Sequence, residues 1–153
     1  MPEYDLTESR TSLPKWLGEA KCSKVFVEFL EVRGPKKGEP GPVNHASFKV
    51  DFTSTVRPSD TGEGYAGVRI DMRPEAEYDS DKSSGGRHYQ YGTLIVKAVQ
   101  YKSKSTKSLC TCELPLPIEI KLHQFTDELL GKKLEEFCFV NEGVEYFGCR
   151  DWM

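Results

Sequence analysis

Residues 46–56 read ASFKVDFTSTV, and their alternation decides the fold class: Phe48, Val50 and Phe52 fall on one side of an extended chain, Lys49, Asp51 and Thr53 on the other. A period of two over this length describes an antiparallel strand with one face on a core and the other toward solvent. Lys49, Asp51 and Thr53 are therefore expected outside. Upstream, KVFVEFLEV (24–32) is rich in β-branched and aromatic residues, with Val25, Val27 and Phe29 on one face and Phe26 and Leu30 on the other. It reads as a central strand covered on both faces. GPKKGEPGPV (34–43) between them is a loop by turn chemistry and carries Lys36 and Lys37. Downstream, RPSDTGEGYAG (57–67) is another loop, and Val68, Ile70 and Met72 alternate as a third strand. Residues 73–87, acidic and then rich in Ser and Gly, read as an exposed loop. HYQYGTLIVKAVQYKS (88–103) follows as a long strand, with Leu94, Val96 and Ala98 opposing Ile95, Val99 and Tyr101.

The outer parts of the chain are less regular. In SLCTCELPLPIEIKL (108–122), Pro115 and Pro117 lack backbone donors, which confines the segment to an edge strand or extended cover. QFTDELLGKKLEEF (124–137) is a helix in which Thr126 can cap, Asp127 and Glu128 occupy the first turn, Phe125 and Leu130 have staple spacing, and Leu130, Leu134 and Phe137 form the buried stripe. Gly131 inside it implies close approach of another backbone or simple tolerance. FCFVNEGVEYFGCRDW (137–152) reads as a hairpin whose Asn-Glu-Gly loop places Gly143 in the left-handed region. Residues 1–23 are expected to be a mobile arm carrying one short helix over PKWLGEA (14–20), with Ser12 available as a cap. Trp16 and Leu17 on that helix either dock on a neighbouring copy or fold back onto their own domain. The expected architecture is a single α+β domain over 24–153: one mostly antiparallel twisted sheet, one or two packed helices, and a C-terminal helix followed by a β-hairpin.

A chain of 153 residues with net charge -3 and pI near 5.7 is not basic enough for its whole surface to grip nucleic acid. Its mean hydropathy of -0.55 and lack of a long apolar run exclude a membrane-spanning helix reading. The acidic start is unlike a secretory or transit peptide, Pro2 stands where myristoylation needs glycine, and the last four residues are not a prenylation box. Five cysteines without an N-x-Ser/Thr sequon fit reduced thiols in the cytosol.

Signals for chemistry are sparse. GEGYAG (62–67) matches G-x-G-x-x-G in form, but no strand precedes it and no helix follows, so it is read as a glycine-rich turn. Cys110, Cys112, Cys138, Cys149 and His123 could supply zinc ligands, yet their spacing fits no familiar finger, and Cys110 and Cys112 serve equally as small buried hydrophobes. His45, His88 and His123 stand apart, and the single His45-x-Ser47 lacks the second copy that two-histidine phosphoesterases need. No enzyme, metal or cofactor is expected. Charge is distributed more tellingly. Arg87, Lys97, Lys102, Lys104 and Lys107 lie in a stretch without an acid, whereas residues 126–145 hold six acids, among them Asp127, Glu128, Glu135 and Glu136, against Lys132 and Lys133. Such patches either meet between copies or serve as ordinary solvated faces. YKSKSTKS (101–108) has only Tyr101 as an aromatic and suits phosphate or headgroup contact better than base stacking.

From Tyr89 to Trp152 the order of elements resembles the C-terminal part of rhabdovirus matrix proteins, most of all the small matrix proteins of plant-infecting members. Tyr91-Gly92-Thr93-Leu94 opens an apolar strand ending at Tyr101, and an extended return then leads to a helix near Phe125 and a closing hairpin. The resemblance implies a structural protein of the virion and host cytoplasm that self-associates, binds nucleoprotein, condenses the helical nucleocapsid and lies against the inner face of the envelope. Nucleocapsid or lipid contact then falls to Lys36, Lys37, Arg87, Lys97, Lys102, Lys104 and Lys107, and self-association to Trp16, Leu17, Asp127, Glu128, Glu135 and Glu136. No sequence-specific nucleic-acid binding is implied. The chain lacks Pro-Pro-x-Tyr and P-[ST]-A-P motifs, and its Y-x-x-L match at Tyr91–Leu94 begins a strand, so budding through host sorting machinery is not expected. A small viral or phage binding module that inhibits a host protein is the alternative, its acidic face mimicking nucleic acid.

Overall fold

Phe48, Val50 and Phe52 lie in the interior of the computed structural model, which describes residues 1–7, 12–33, 37, 43–60, 62–74, 87–103, 105–106, 108–116, 118–132, 138–142 and 145–147. The elements in chain order are β1 (Glu3–Asp5), α1 (Lys15–Gly18), β2 (Lys21–Arg33), β3 (Val43–Val56), β4 (Tyr65–Pro74), β5 (Arg87–Val99), β6 (Ser108–Leu114), β7 (Ile120–Lys121), α2 (Leu122–Gly131), β8 (Cys138–Glu142) and β9 (Glu145–Phe147). All strand pairs are antiparallel, in the order β6-β2-β3-β4-β5-β8-β9, with β1 added to β5 and β7 to β2. The fold is α+β, as the alternating pattern implies.

Register gives the sheet two different faces. Val25, Val50, Val68 and Ala98 align across β2 to β5, and Val27, Phe48, Ile70 and Val96 form the next row. These rows carry the core, and each fully buried aliphatic or aromatic side chain contributes about 1.5–3 kcal/mol. Helix α2 covers them with Leu122, Leu129 and Phe125, whose ring meets Phe48 edge-on at 5.7 Å between centroids. The four-residue α1 is too short to persist alone and is held by fully buried Leu17 and by Trp16, whose ring lies 5.6 Å from Tyr65.

Several expectations need correction. Residues 1–23 are not a free arm: β1 pairs with β5, the Leu94 amide donates to Thr7 Oγ1 at 2.8 Å, and Leu6, Leu17, Ala20 and Cys22 enter the core. Pro14, not Ser12, is the N-cap of α1, without a side-chain cap bond. Helix α2 starts four residues before Thr126. Lys121 occupies its N-cap, whose amide donates to Gln124 Oε1 at 2.8 Å, and Thr126 lies mid-helix with its hydroxyl donating to the Leu122 and His123 carbonyls. Asp127 and Glu128 consequently sit beyond the first turn. Gly131 ends the helix with open space where a Cβ would stand, so tolerance explains it. In the terminal hairpin Asn141 and Glu142 are paired strand residues opposite Tyr146 and Glu145, which makes the connection shorter than Asn-Glu-Gly. Gly143, Leu134, Phe137 and residues 75–86 of the expected loop lie outside the described residues. Tyr91–Leu94 lies inside β5, with Gly92 and Leu94 buried.

Candidate functional site

The second face of the sheet is charged, and its centre is not exposed. Lys49, expected outside, is fully buried, as are Glu28 and Ser47, while Asp51 and Asp71 are nearly so. Pairing explains the placement: Phe26, Lys49, Arg69, Lys97 and Glu3 align in one row, and Glu28 stands opposite Ser47 in the next. Lys49 Nζ donates to Asp51 Oδ1 at 2.5 Å and lies 5.1 Å from the centroid of the Tyr101 ring. A Cβ at Gly67 would meet that ammonium at 2.9 Å and collide with the Val50 carbonyl, so glycine there leaves the room Lys49 needs. Burial lowers the Lys49 pKa against the opposing pull of Asp51 and Glu28.

A second group adjoins this pair. Asp71 is contacted by His45 Nε2 at 3.1 Å, Arg69 Nη2 at 3.3 Å and Arg73 Nη2 at 3.4 Å. Burial pushes the Asp71 carboxyl upward, but the His45 hydrogen bond and the two guanidinium charges outweigh it and hold the pKa below the ordinary value. Arg73 also forks onto Glu3, and Lys97 reaches Glu3 at 3.0 Å. Three carboxylates, Glu28, Asp51 and Asp71, thus face Lys49, Arg69 and Arg73.

The cluster holds the loop after β5. The Ser103 amide donates to both oxygens of Asp51, at 2.9 and 3.2 Å, and the Ser105 amide donates to Glu28 Oε1 at 2.6 Å. Ser103 has φ 61°, a left-handed conformation costing a non-glycine residue about 1–2 kcal/mol, and the two charge-assisted bonds to its amide stabilise it. Lys102, between these anchors and the end of β5, is exposed. Its loop is pre-organised by buried carboxylates.

The expected contact residues divide accordingly. Lys102 and Lys37 are exposed, Lys97 is engaged by Glu3, and the backbone of Arg87 opens β5 opposite Glu142. Lys36, Lys104, Lys107, Glu135 and Glu136 lie outside the described residues. Asp127 and Glu128 on α2 have side chains 71% and 70% exposed, lie 3.6 Å from His123 Nδ1 and 3.4 Å from Lys132 Nζ, and stand on the face of the sheet opposite the basic loop. Leu17 is buried in its own domain and is removed from any self-association surface, and Trp16 packs beside it.

Other chemistry finds little support in the geometry. His45 and Asp71 pair, but Ser47 Oγ is buried without a partner among the described residues, so the three do not form a relay. No group of three metal-ligating side chains occurs among the described residues. Cys110 and Cys112 are exposed rather than core, whereas Cys22 is buried and its thiol is pushed up to about 12 by desolvation. Among the described residues no helix is long and apolar enough to cross a membrane. The chain matches no protein-family model, no curated protein and no solved structure.

The basic loop is legible in the sequence, whereas the carboxylates that anchor it are not marked by any motif. A signal was present: Glu28, Lys49, Asp51, Arg69, Asp71 and Arg73 all fall in the non-core phase of adjacent strands, with balanced signs. A face meant only for water has no need of that balance.

Proposed function

We propose that this chain is a non-enzymatic, matrix-type structural protein that assembles from copies of itself, binds and condenses a helical nucleocapsid, and links it to the anionic inner face of an envelope. One observation carries the reading. An exposed, anchored basic loop at Lys102 lies on one face of the sheet, and the exposed carboxylates Asp127 and Glu128 lie on the other. Opposite charges on opposite faces favour a head-to-tail contact, which need not close and so extends into filaments or lattices. Each exposed pair contributes only about 0–1 kcal/mol, so assembly rests on repetition and is reversed by salt.

The same loop serves the other partners. Anionic lipid presents an acidic surface, and a lysine near it contributes about 1 kcal/mol. The choice of these partners rests on the resemblance of residues 89–152 to rhabdovirus matrix proteins. Changing Lys102, Lys104 and Lys107 together to Glu tests the assignment. Salt-dependent polymerisation should be lost while the protein keeps its cooperative thermal transition, and unchanged polymerisation refutes the role of the loop.

A further inference from the structure

Strand β6 forms one edge of the sheet and, among the described residues, pairs only with β2. Its register is regular from Cys110 to Leu114, opposite Phe29 to Val25, and breaks above Cys110 because Leu109 is an extra residue between Phe29 and Leu30. Over the regular run there is no Lys or Pro of the kind that blunts an edge. Cys110, Cys112 and Leu114 share the phase of the core rows yet are exposed. Leu109, Leu114 and Ile118, at 47%, 36% and 68% exposure, are with Met1 the exposed large hydrophobic residues among those described. Among the described residues no strand covers the outer edge of β6, and this open edge with its exposed apolar row fits another strand.

We infer that β6 pairs with β6 of a second copy, antiparallel about a two-fold axis at Cys112, so that two sheets become one. The sequence of the run is complementary to itself in this register. On the core side Cys112 meets Cys112 of the partner subunit and Cys110 meets Leu114 of the partner subunit. On the charged side Thr111 meets Glu113 of the partner subunit, a hydroxyl beside a carboxylate, and no two like charges stand opposite each other. A pairing centred on Thr111 would carry the bulged Leu109 into the ladder, which disfavours it. This contact deepens the self-association proposed above and rests on that reading for the identity of the partner, but it depends on backbone bonds and apolar burial rather than on exposed ion pairs.

Sedimentation velocity of the full chain at about 1 M salt, where the screening length is about 3 Å, separates the two contacts. Reduced wild-type protein is expected to remain a dimer there, and so is the Lys102→Glu, Lys104→Glu, Lys107→Glu variant. Cys112→Lys, which opposes two ammonium groups on the axis, should weaken the dimer at least tenfold, while Cys112→Ser preserves it; a wild-type far-ultraviolet circular dichroism spectrum and a cooperative melt verify that both variants fold. Glutathione disulfide supplies the second readout. A Cys112 thiolate attacks it and releases one glutathione thiolate, then the partner's Cys112 thiolate displaces the second and leaves an intersubunit disulfide. Cross-linking should survive Cys110→Ser and vanish in Cys112→Ser. A monomer at high salt, or cross-linking that requires Cys110, overturns the inference. A high-salt dimer without low-salt polymers would leave this contact standing and refute the head-to-tail reading, and polymers that dissolve to monomers would do the reverse.

Discussion

Replacing Lys49 with Met is the sharpest test of how the charged face is held together. Methionine keeps much of the stem volume but removes the fully buried ammonium that Asp51 accepts at 2.5 Å and that faces Glu28. Asp51 then loses its paired cation and Glu28 a nearby positive charge, and breaking such a buried pair by removing one partner costs about 3–5 kcal/mol. For a domain of this size that is a fall in Tm on the order of 10 °C. The double variant Lys49→Met, Asp51→Asn removes both charges of the pair and should recover a large part of the loss, because a buried pair replaced as a unit is often nearly neutral. The loop reports separately. Asp51→Asn weakens the acceptor of the Ser103 amide but leaves Glu28 on the Ser105 amide, so hydrogen exchange should accelerate at Ser103 before Ser105. Thermal melting by circular dichroism and amide exchange by mass spectrometry or NMR measure the two effects. A Lys49→Met protein melting within about 2 °C of wild type would refute the argument that this buried cation balances the cluster.

Gly67→Ala places a methyl against the Val50 carbonyl and 2.9 Å from Lys49 Nζ, and should destabilise by about 1–3 kcal/mol in a urea titration, far more than Gly131→Ala, where space is open. Because the folded-state pKa of Asp71 is held below its unfolded value, its contribution to stability is complete above the unfolded pKa near 4 and disappears as pH falls through the folded value. Urea midpoints should therefore drop with acid below about pH 4 in wild type, and with a shallower slope in Asp71→Asn. Reversing both sides of the proposed contact in one chain, Lys102→Glu with Glu128→Lys, should restore light scattering at low salt that either single change reduces; failure of the double variant would count against a direct loop-to-helix contact.

The core rows were legible because one residue in two is apolar on β3, β4 and β5, and nothing else competes for that face. Lys49 and Asp51 were misplaced for the same reason: alternation says which residues share a face, not whether that face meets water. Only the register beside Glu28 and Arg69, together with a loop returning from Tyr101, closes over them. The start of α2 was misread because Thr126 is a good cap by type, yet here its hydroxyl satisfies carbonyls of the preceding turn. Leu6 and Leu17 carry no periodic signal on short elements, and their burial depends on a sheet assembled from residues far along the chain. The exposed thiols of β6 show the converse, core phase without burial, on a strand that pairs on one side only among the described residues.

Assembly through opposed charges is decided by the mass distribution of the purified chain across a salt series, with electron micrographs of the low-salt samples. Filaments or sheets are expected at low ionic strength and should dissolve as the screening length shortens from about 30 Å at 0.01 M to about 3 Å at 1 M. A mass that does not change with salt would contradict it.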